Sequence, residues 1–243
     1  MCTRNDWKIV WNRHKSHFDS FEGLTDEQIV LELKSVDGFD VGTSTITYKA
    51  FLKEIDKFIE HLNRGSIEGV QSIFEVGCGS GANLYMFKKY GFKIGGIDYS
   101  KSLIDTMRKL PLHPNLIECV NAEAINLPTD IKYDAVVSMS VFHYFYDLDY
   151  AKNVLDKMLK KSKKVIAVLH IHDKSKEDEF FELRRRLTPD YNERYAGLPK
   201  LFYDKEFFIK FAKENNLDIE FFNSELQGFW NAPFVFNCFM YKI

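Results

Sequence analysis

The chain has 243 residues, which is enough for one α/β domain with a complete hydrophobic core and leaves little room for a second domain. Its composition, 45% hydrophobic and 28% charged, is that of a folded protein and excludes a disordered or fibrous chain. A formal net charge of -2 gives no basic footprint for nucleic acid, so we expect a small-molecule partner.

Residues 1–7 lack the apolar run of a signal peptide, and no later stretch is apolar for long enough to span a bilayer. We therefore expect a cytoplasmic protein without a membrane partner. The scattered cysteines contain no Cys-x-x-Cys pair, a distribution that predicts reduced thiols and neither a disulfide nor a cysteine metal site. The sequence assigns no oligomeric state.

Two helical segments precede the first predicted strand. A polar-capped segment covers residues 25–34, and a stronger one covers residues 47–63. The apolar residues of the second segment recur at helical spacing: Phe51, Leu52, Ile55, Phe58, Ile59 and Leu62. We expect residues 1–70 to form a helical N-terminal cap whose second helix covers the edge of the sheet.

From residue 72 onward, short apolar runs alternate with amphipathic segments, the pattern of a parallel sheet with helices on both faces. Strands are predicted over residues 72–76, 93–97, 116–120, 135–138, 165–170, 218–223 and 233–243. Helices are predicted over residues 82–90, 100–110, 148–160 and 205–215, with Ser100 and Asp204 as N-caps. No helix separates the last two strands, so we expect the chain to end on a hairpin.

A charged segment between Asp173 and Lys200 is too long for a plain loop and predicts an inserted helix after the fifth strand. Its charge runs, at residues 174–179 and 184–186, are typical of a solvated helix face rather than of a binding patch. We expect one domain over residues 1–243, in which a core over 71–243 carries a lid at about 173–203.

A glycine-rich loop, Glu75-Val76-Gly77-Cys78-Gly79-Ser80-Gly81, follows the first strand, where an open α/β sheet binds its ligand. Its glycines allow a sharp turn and a close approach of the backbone to that ligand. The spacing Gly77-x-Gly79-x-x-Ala82 also satisfies the looser dinucleotide fingerprint. Glu75 disfavours NAD, because its carboxylate would repel a pyrophosphate and attract an ammonium group. Asp98, about 20 residues further on, stands where a carboxylate accepts ribose hydroxyls in either type of cofactor.

Together, Glu75-Val76-Gly77-Cys78-Gly79-Ser80-Gly81 and Gly96-Ile97-Asp98-Tyr99-Ser100 resemble the first two motifs of the class I S-adenosylmethionine-dependent methyltransferases. The segments at 122–128 and 133–145 resemble the third and fourth motifs, with Glu123 in place of the usual aspartate. The resemblance covers roughly residues 70–170. It implies a Rossmann-like fold with a seven-stranded, mostly parallel sheet of order 3-2-1-4-5-7-6, in which strand 7 is antiparallel.

The resemblance also implies S-adenosylmethionine as the cofactor, S-adenosylhomocysteine as its product and methyl transfer to a small molecule. The cofactor contacts that it implies are Glu75, Gly77, Cys78, Gly79, Gly81, Asp98, Tyr99, Glu123, Ala124 and Ser138. A similarity to methyltransferases found with bacterial capsule and surface-glycan genes points to O-methylation of a sugar or a phosphoramidate-type precursor. A phenolic or natural-product acceptor stays open, as does a non-catalytic S-adenosylmethionine-binding protein.

Histidines near the expected ligand-binding edge are candidates for substrate binding and catalysis. His143 follows the fourth strand among aromatic residues and is the first candidate base, although a histidine that packs the strand-to-helix turn fits equally well. His170, His172 and Asp173 end the fifth strand, with both imidazoles expected on one face. There we expect polar substrate contacts, with His172 as the alternative base, and no metal.

Aromatic residues of the prefix and the tail are candidates for closing the substrate pocket. Trp11, Tyr48 and Trp230 belong to this group. Plain packing between elements explains such residues equally well.

Overall fold

In the computed structural model, which describes residues 6–39, 46–64 and 69–243, seven strands form one sheet. The strands are β1 (Ser72–Val76), β2 (Lys93–Asp98), β3 (Leu116–Asn121), β4 (Tyr133–Met139), β5 (Ser162–His172), β6 (Leu217–Asn223) and β7 (Val235–Lys242). Their order is β3-β2-β1-β4-β5-β7-β6, and β7 runs antiparallel to both of its neighbours. The other pairs are parallel. The order and the antiparallel seventh strand, both implied by the resemblance, are confirmed.

Helices precede the sheet and connect its strands. They are α1 (Asp6–Trp11), α2 (Asp26–Val36), α3 (Tyr48–Leu62), α4 (Ala82–Lys89), α5 (Lys101–Met107), α6 (Leu148–Lys161), α7 (Glu177–Leu187), α8 (Tyr191–Arg194) and α9 (Lys205–Glu214). Short 3-10 helices cover Ala124–Asn126, Phe142–Tyr144, Lys174–Lys176 and Ala232–Phe234. Ser100 caps α5 by accepting a hydrogen bond from the backbone of Leu103, as predicted. Asp204 occupies the N-cap position of α9 without a side-chain hydrogen bond.

β1 has its predicted bounds, and the other six strands differ from theirs at one end or both. The differences at β5 and β7 have clear physical reasons. β5 begins at Ser162, three residues early, because this end pairs with Tyr133 of β4. β7 begins at Val235 rather than at Pro233, because Pro233 lies in a 3-10 helix. A proline has no backbone N–H to donate to a strand ladder.

Helix α3, the stronger of the two helices predicted before the sheet, lies on a face of the sheet. Phe58 of α3 packs between Phe87 of α4 and Phe239 of β7, with ring centroids 5.4 and 6.0 Å away. His61 packs on Phe222 of β6 at 3.8 Å. Because β6 is an edge strand, α3 lies over that edge and extends across β7 onto the face of the sheet.

The sheet buries a different set of side chains on each face, since neighbouring strand residues point in opposite directions. Ile73 of β1 belongs to a cluster with α2, α3 and α4. Phe74, the next residue, belongs to a cluster with α6 and α9. The core therefore lies on both faces of the sheet, and the carboxyl ends of the parallel strands are left to form a site.

The insert after β5 is helical, as predicted, and consists mainly of α7 and α8. Acidic residues occupy the first turn of α7 and arginines its last turn, an arrangement that complements the helix dipole. Phe180 is the buried residue of α7, so most of its charged face is solvated. No helix in the described ranges is long and apolar enough to cross a membrane.

Candidate functional site

A cavity of about 300 Å³, called here the main cavity, opens at the carboxyl ends of β1, β2 and β4. Its wall includes residues that follow those strands, among them Gly77, Tyr99 and Ser140. The remaining residues around it are Trp7, Lys8, Trp11, Lys34, Asp37, Phe39, Glu75, Cys78, Gly79, Asn83, Ile97, Asp98, Leu103, Ala122, Glu123, Ala124, Met139, Val141, Tyr144, Phe145, Tyr146, Tyr150, Gly197 and Pro199. This is the position at which open α/β sheets bind ligands.

Gly77 and Gly79 are needed for two reasons: the backbone turns at positive φ, and neighbouring side chains leave no space for a Cβ. Gly77 and Gly79 have φ values of +77° and +54°, which favour glycine. A Cβ at Gly77 would lie 2.3 Å from a methyl group of Val141, and one at Gly79 would lie 2.4 Å from Oδ1 of Asp37. The loop is therefore held between the end of β4 and the end of α2.

Asp98 connects the end of β2 to the glycine loop. One carboxylate oxygen accepts the N–H of Gly79 at 3.0 Å, and the other accepts the N–H of Ser100 at 2.8 Å. Burial raises the pKa of Asp98 to about 6, although these hydrogen bonds work in the opposite direction. The carboxylate is thus fixed in place beside the main cavity.

Glu75 is an acid with an incompletely satisfied side chain. It is 1% exposed, and its Oε1 accepts a hydrogen bond from Nδ2 of Asn83 at 2.6 Å. Its Oε2 has no hydrogen-bond partner among the described residues. Burial raises the pKa of Glu75 to about 8. A cationic ligand group would therefore stabilise this carboxylate in its ionised form.

The N-terminal region adds two charged residues to the same part of the cavity. Oδ1 of Asp37 accepts the N–H of Ser80 at 2.7 Å, and burial raises the pKa of this acid to about 7. Nζ of Lys34 donates to Oδ1 of Asn83 at 2.7 Å, and burial lowers the lysine pKa. With Glu75 and Asp98, three carboxylates thus stand beside one buried lysine, an environment that favours a ligand with positive charge.

Most of the expected cofactor residues line the main cavity: Glu75, Gly77, Cys78, Gly79, Asp98, Tyr99, Glu123 and Ala124. Two of them do not. Gly81 is the N-cap of α4, and a Cβ there would lie 2.5 Å from Met107. Ser138 is fully buried, and its hydroxyl donates to the backbone oxygen of Val76 at 2.9 Å, which ties β4 to β1.

An aromatic wall, formed by Trp7, Trp11, Tyr144, Phe145, Tyr146 and Tyr150, borders the other part of the cavity. Trp7 packs edge-on against Tyr144 at 4.7 Å, and its indole N–H donates to the backbone oxygen of Pro199 at 2.8 Å. The hydroxyl of Ser100 donates to the backbone oxygen of Trp11 at 3.2 Å. Helix α1 therefore bridges from the cofactor side of the cavity to the insert.

His143 and His172 form a buried stack away from the cavity wall. Their ring centroids are 4.2 Å apart and their planes differ by 5°. Burial lowers the pKa of both imidazoles, so they are neutral. Nε2 of His172 lies 3.1 Å from Nδ2 of Asn231, and His143 packs on Tyr144 at 4.0 Å. Neither ring borders the main cavity.

His170 makes different contacts from His172. Its Nδ1 lies 2.8 Å from Oγ of Ser140, and its Nε2 lies 2.9 Å from Oε1 of Glu54. His170 has a φ of +55°, and the pairing with β7 shifts register between Val168 and Ile171. The expected common face of the two imidazoles is not formed, because this irregularity breaks the alternation of the strand.

The other expected substrate residues are dispersed. Trp11 lines the main cavity, whereas Tyr48 borders a second cavity of about 200 Å³ between α2, α3 and α4. Asp173 caps a 3-10 helix by accepting hydrogen bonds from the N–H and hydroxyl of Ser175. Trp230 packs on the guanidinium of Arg184 at 5.0 Å. Within the described ranges, no group of three or more His, Cys, Asp or Glu side chains is arranged to hold a metal ion.

Sequence reasoning missed several residues of the site, namely Lys34, Asp37, Glu54, Asn83 and Ser140. Asn83 carried a local signal, since it is a polar residue in the apolar first turn of the helix that follows the loop. Ser140 lies inside the recognised fourth segment but was not singled out. The other three come from distant helices, and their sequence spacing to the loop carries no information.

A family model described as a methyltransferase domain matches residues 74–167. No curated protein matches the chain. The chain is similar to the structure of magnesium protoporphyrin IX methyltransferase (ChlM) from Synechocystis PCC 6803 with bound SAM. The identity is 14% and the TM-score 0.58, over 91% of this chain and 99% of that one.

Two further solved structures are similar. One is the plantazolicin methyltransferase BpumL in complex with a pentazolic desmethylPZN analog and SAH, at 15% identity and a TM-score of 0.62, over 98% of this chain and 99% of that one. The other is Streptomyces venezuelae DesVI, at 15% identity and a TM-score of 0.56, over 79% of this chain and 91% of that one. At these identities the likeness concerns the fold.

Proposed function

We propose that this chain is a class I S-adenosylmethionine-dependent methyltransferase and that it methylates a small aromatic acceptor that carries a negative charge. The proposal is carried by one observation: the acid-lined part of the main cavity opens directly onto its aromatic wall. A donor site and an acceptor site thus share one cavity.

The residues present fit the cofactor. Asp98 would bind the ribose hydroxyls, and the segment of Glu123 and Ala124 would bind the adenine. Glu75 and Asp37 would stabilise the ammonium group, since both carboxylates are held beside the cavity without a full counter-charge. When bound, S-adenosylmethionine supplies an electrophilic methyl group, so the protein mainly aligns the acceptor and excludes water.

The acceptor class is argued from the aromatic wall and from the charge beside it. Nζ of Lys200 lies 4.9 Å from the ring centroid of Trp7 and 4.5 Å from that of Tyr144. Burial and the charge of Arg184 lower the pKa of Lys200 to about 7. Neither Lys200 nor Arg184 forms an ion pair with a carboxylate in the described part of the chain. The aromatic ring of an acceptor would pack on the wall, and its anionic substituent would stabilise the protonated form of Lys200.

A second candidate acceptor is a sugar phosphate or phosphoramidate-type precursor of the kind used in capsule or surface-glycan assembly. The same uncompensated charge of Lys200 favours it. We place it second, because all six side chains of the wall are aromatic and would pack on an aromatic ring.

The cap and the lid expected from the sequence would act together. Helix α1 and residues 197–200 of the insert meet through the hydrogen bond from Trp7 to Pro199. We propose that this contact closes the acceptor part of the cavity against water, which protects the transfer step.

Methyl transfer from tritium-labelled S-adenosylmethionine tests the proposal, with 4-hydroxybenzoate, 3,4-dihydroxybenzoate and glucose 6-phosphate as acceptors. We expect labelled product from a hydroxybenzoate, and at least roughly tenfold less from the Asp98→Ala control at the same limiting cofactor concentration. Label in the sugar phosphate alone would support the second candidate. Binding of S-adenosylhomocysteine without labelling of any acceptor would contradict the acceptor class and favour a non-catalytic binding protein.

A further inference from the structure

Three buried or partly buried polar side chains from different elements form a chain that ends at the main cavity. Oγ of Ser140, at the end of β4, lies 2.8 Å from Nδ1 of His170 on β5. Nε2 of the same ring lies 2.9 Å from Oε1 of Glu54 on α3, an ion-pair contact whose N–H is not aligned as a hydrogen bond. His170 and Glu54 are 2% and 5% exposed, whereas Ser140 lines the cavity. This series of three side chains therefore connects a buried carboxylate with the ligand space through one imidazole.

The backbones of Ser140 and His170 are both held in an unusual conformation. Ser140 and His170 have φ values of +59° and +55°, a region that residues with a Cβ adopt rarely. The N–H of Ser140 donates to Leu169, and the N–H of His170 donates to Oδ1 of Asn237. Such conformations persist where the surroundings enforce them, and they cluster at active sites. Here they bring the serine hydroxyl and the imidazole together.

The contacts determine where the protons lie. The carboxylate of Glu54 favours a proton on Nε2 of His170, which leaves the lone pair of Nδ1 free to accept the hydroxyl proton of Ser140. The oxygen of Ser140 then has lone pairs available for a donor in the cavity. A positive charge formed on the imidazole would lie beside Glu54 and would be stabilised by it.

We propose that Ser140, His170 and Glu54 are a proton relay that deprotonates the acceptor hydroxyl during methyl transfer. The inference rests on the proposed function. The acceptor O–H bond breaks and its oxygen bonds to the methyl carbon, while the methyl–sulfur bond breaks and its electron pair stays on sulfur. The acceptor proton moves to Oγ of Ser140, and the proton of that hydroxyl moves to Nδ1 of His170. Ser140 is the catalytic residue. Glu54 is a positioning residue that orients the His170 ring and stabilises a positive charge on it.

The relay assigns a different base from the two histidines favoured by sequence position. His143 and His172 are neutral and stacked on each other, and neither borders the cavity. His170 also does not border the cavity, but it reaches the ligand space through Ser140. A hydroxyl between base and substrate is a known way to move a proton over a short distance.

The first test reads the proton positions and needs no acceptor. The full chain, labelled with ¹⁵N-histidine and saturated with S-adenosylhomocysteine, is measured by NMR, with His170 assigned by its loss in His170→Gln. We expect His170 to carry its proton on Nε2, with the Nδ1 signal moving in Ser140→Ala and a mixture of tautomers in Glu54→Gln. A proton on Nδ1 in the wild type overturns the relay, whatever the enzyme does with acceptors.

The second test separates proton removal from alignment. At about pH 8, 4-nitrophenol is already ionised, whereas 4-hydroxybenzoate keeps its phenolic proton. Ser140→Ala should slow methylation of 4-hydroxybenzoate by roughly 100-fold or more, a typical size for general-base catalysis, and change the rate with 4-nitrophenol by less than about threefold. Equal losses with both acceptors would contradict the relay and show that Ser140 only aligns substrate.

A matched control is available at the opposite end of the same sheet. Ser162 is a buried serine whose hydroxyl donates to the backbone oxygen of Leu159 at 3.1 Å. Ser162→Ala should leave the His170 tautomer and the ratio of the two rates unchanged. Calorimetric titration of each variant with S-adenosylhomocysteine keeps the proposals apart. If the wild-type chain did not bind S-adenosylhomocysteine, the proposed function would be contradicted. Binding together with a proton on Nδ1 of His170 would contradict the relay alone.

Discussion

Replacement of Glu75 by glutamine tests whether this acid is held without its counter-charge in the ligand-free protein. Burial raises its pKa from an ordinary value of 4.5 to about 8, so between these two pH values it is protonated in the folded chain and ionised in the unfolded chain. The folded state therefore binds more protons, and the stability that Glu75 contributes falls as the pH rises through this window. One such group changes the free energy of unfolding by up to about 1.4 kcal/mol per pH unit.

Glutamine keeps the oxygen that accepts the hydrogen bond from Asn83 and does not titrate. Urea unfolding of both proteins at pH 5, 6, 7 and 8 measures the effect. The free energy of unfolding of Glu75→Gln minus that of the wild type should increase steadily toward pH 8. Asp37 and the buried histidines titrate in both proteins, so the difference isolates Glu75. Saturation with S-adenosylhomocysteine should reduce the difference, because its ammonium stabilises the ionised acid. A difference that is independent of pH would refute the reasoning.

Asp98→Ala should weaken binding of S-adenosylhomocysteine by about 1.5–3 kcal/mol, roughly 10- to 150-fold, because charged hydrogen bonds to the ribose are lost; calorimetry measures this, and unchanged affinity would remove Asp98 from the ribose site. Gly79→Val should abolish measurable binding, since its Cβ would stand 2.4 Å from Asp37 in a backbone with φ of +54°, and wild-type affinity would show that the loop is misplaced. Lys200→Met should raise the KM for 4-hydroxybenzoate about tenfold and leave that for uncharged phenol nearly unchanged, whereas equal KM changes would contradict an anion contact.

Much of the fold could be predicted, because its signals are local. The strand Ser72–Val76 has its predicted bounds, since it is a short, mostly apolar run that ends at the glycine loop. Thr25 and Ser100 start helices through side-chain hydrogen bonds to residues three positions ahead, a contact that sequence spacing contains. The glycine loop of the candidate site follows from the same local signals, because the loop and the end of β1 are consecutive in the chain.

The rest of the candidate site depends on contacts between distant segments. Asp37 meets Ser80 across 43 positions, and nothing in the spacing of the two residues indicates that contact. Glu54 meets His170 through the packing of α3 on the face of the sheet, and nothing in the spacing of these two residues indicates that contact. The positive φ of His170 is a further case, because histidine in a strand predicts regular alternation. Tertiary packing decides all three.

Calorimetric titration of the wild-type chain with S-adenosylhomocysteine, alongside NAD, tests the central claim most directly. The acid-lined cavity predicts one S-adenosylhomocysteine site per chain and no heat of binding with NAD, because an ammonium stabilises the ionised forms of Glu75 and Asp37, whereas a pyrophosphate gains no such stabilisation. Binding of NAD in the same cavity, or no binding of S-adenosylhomocysteine to a folded chain, would contradict the account.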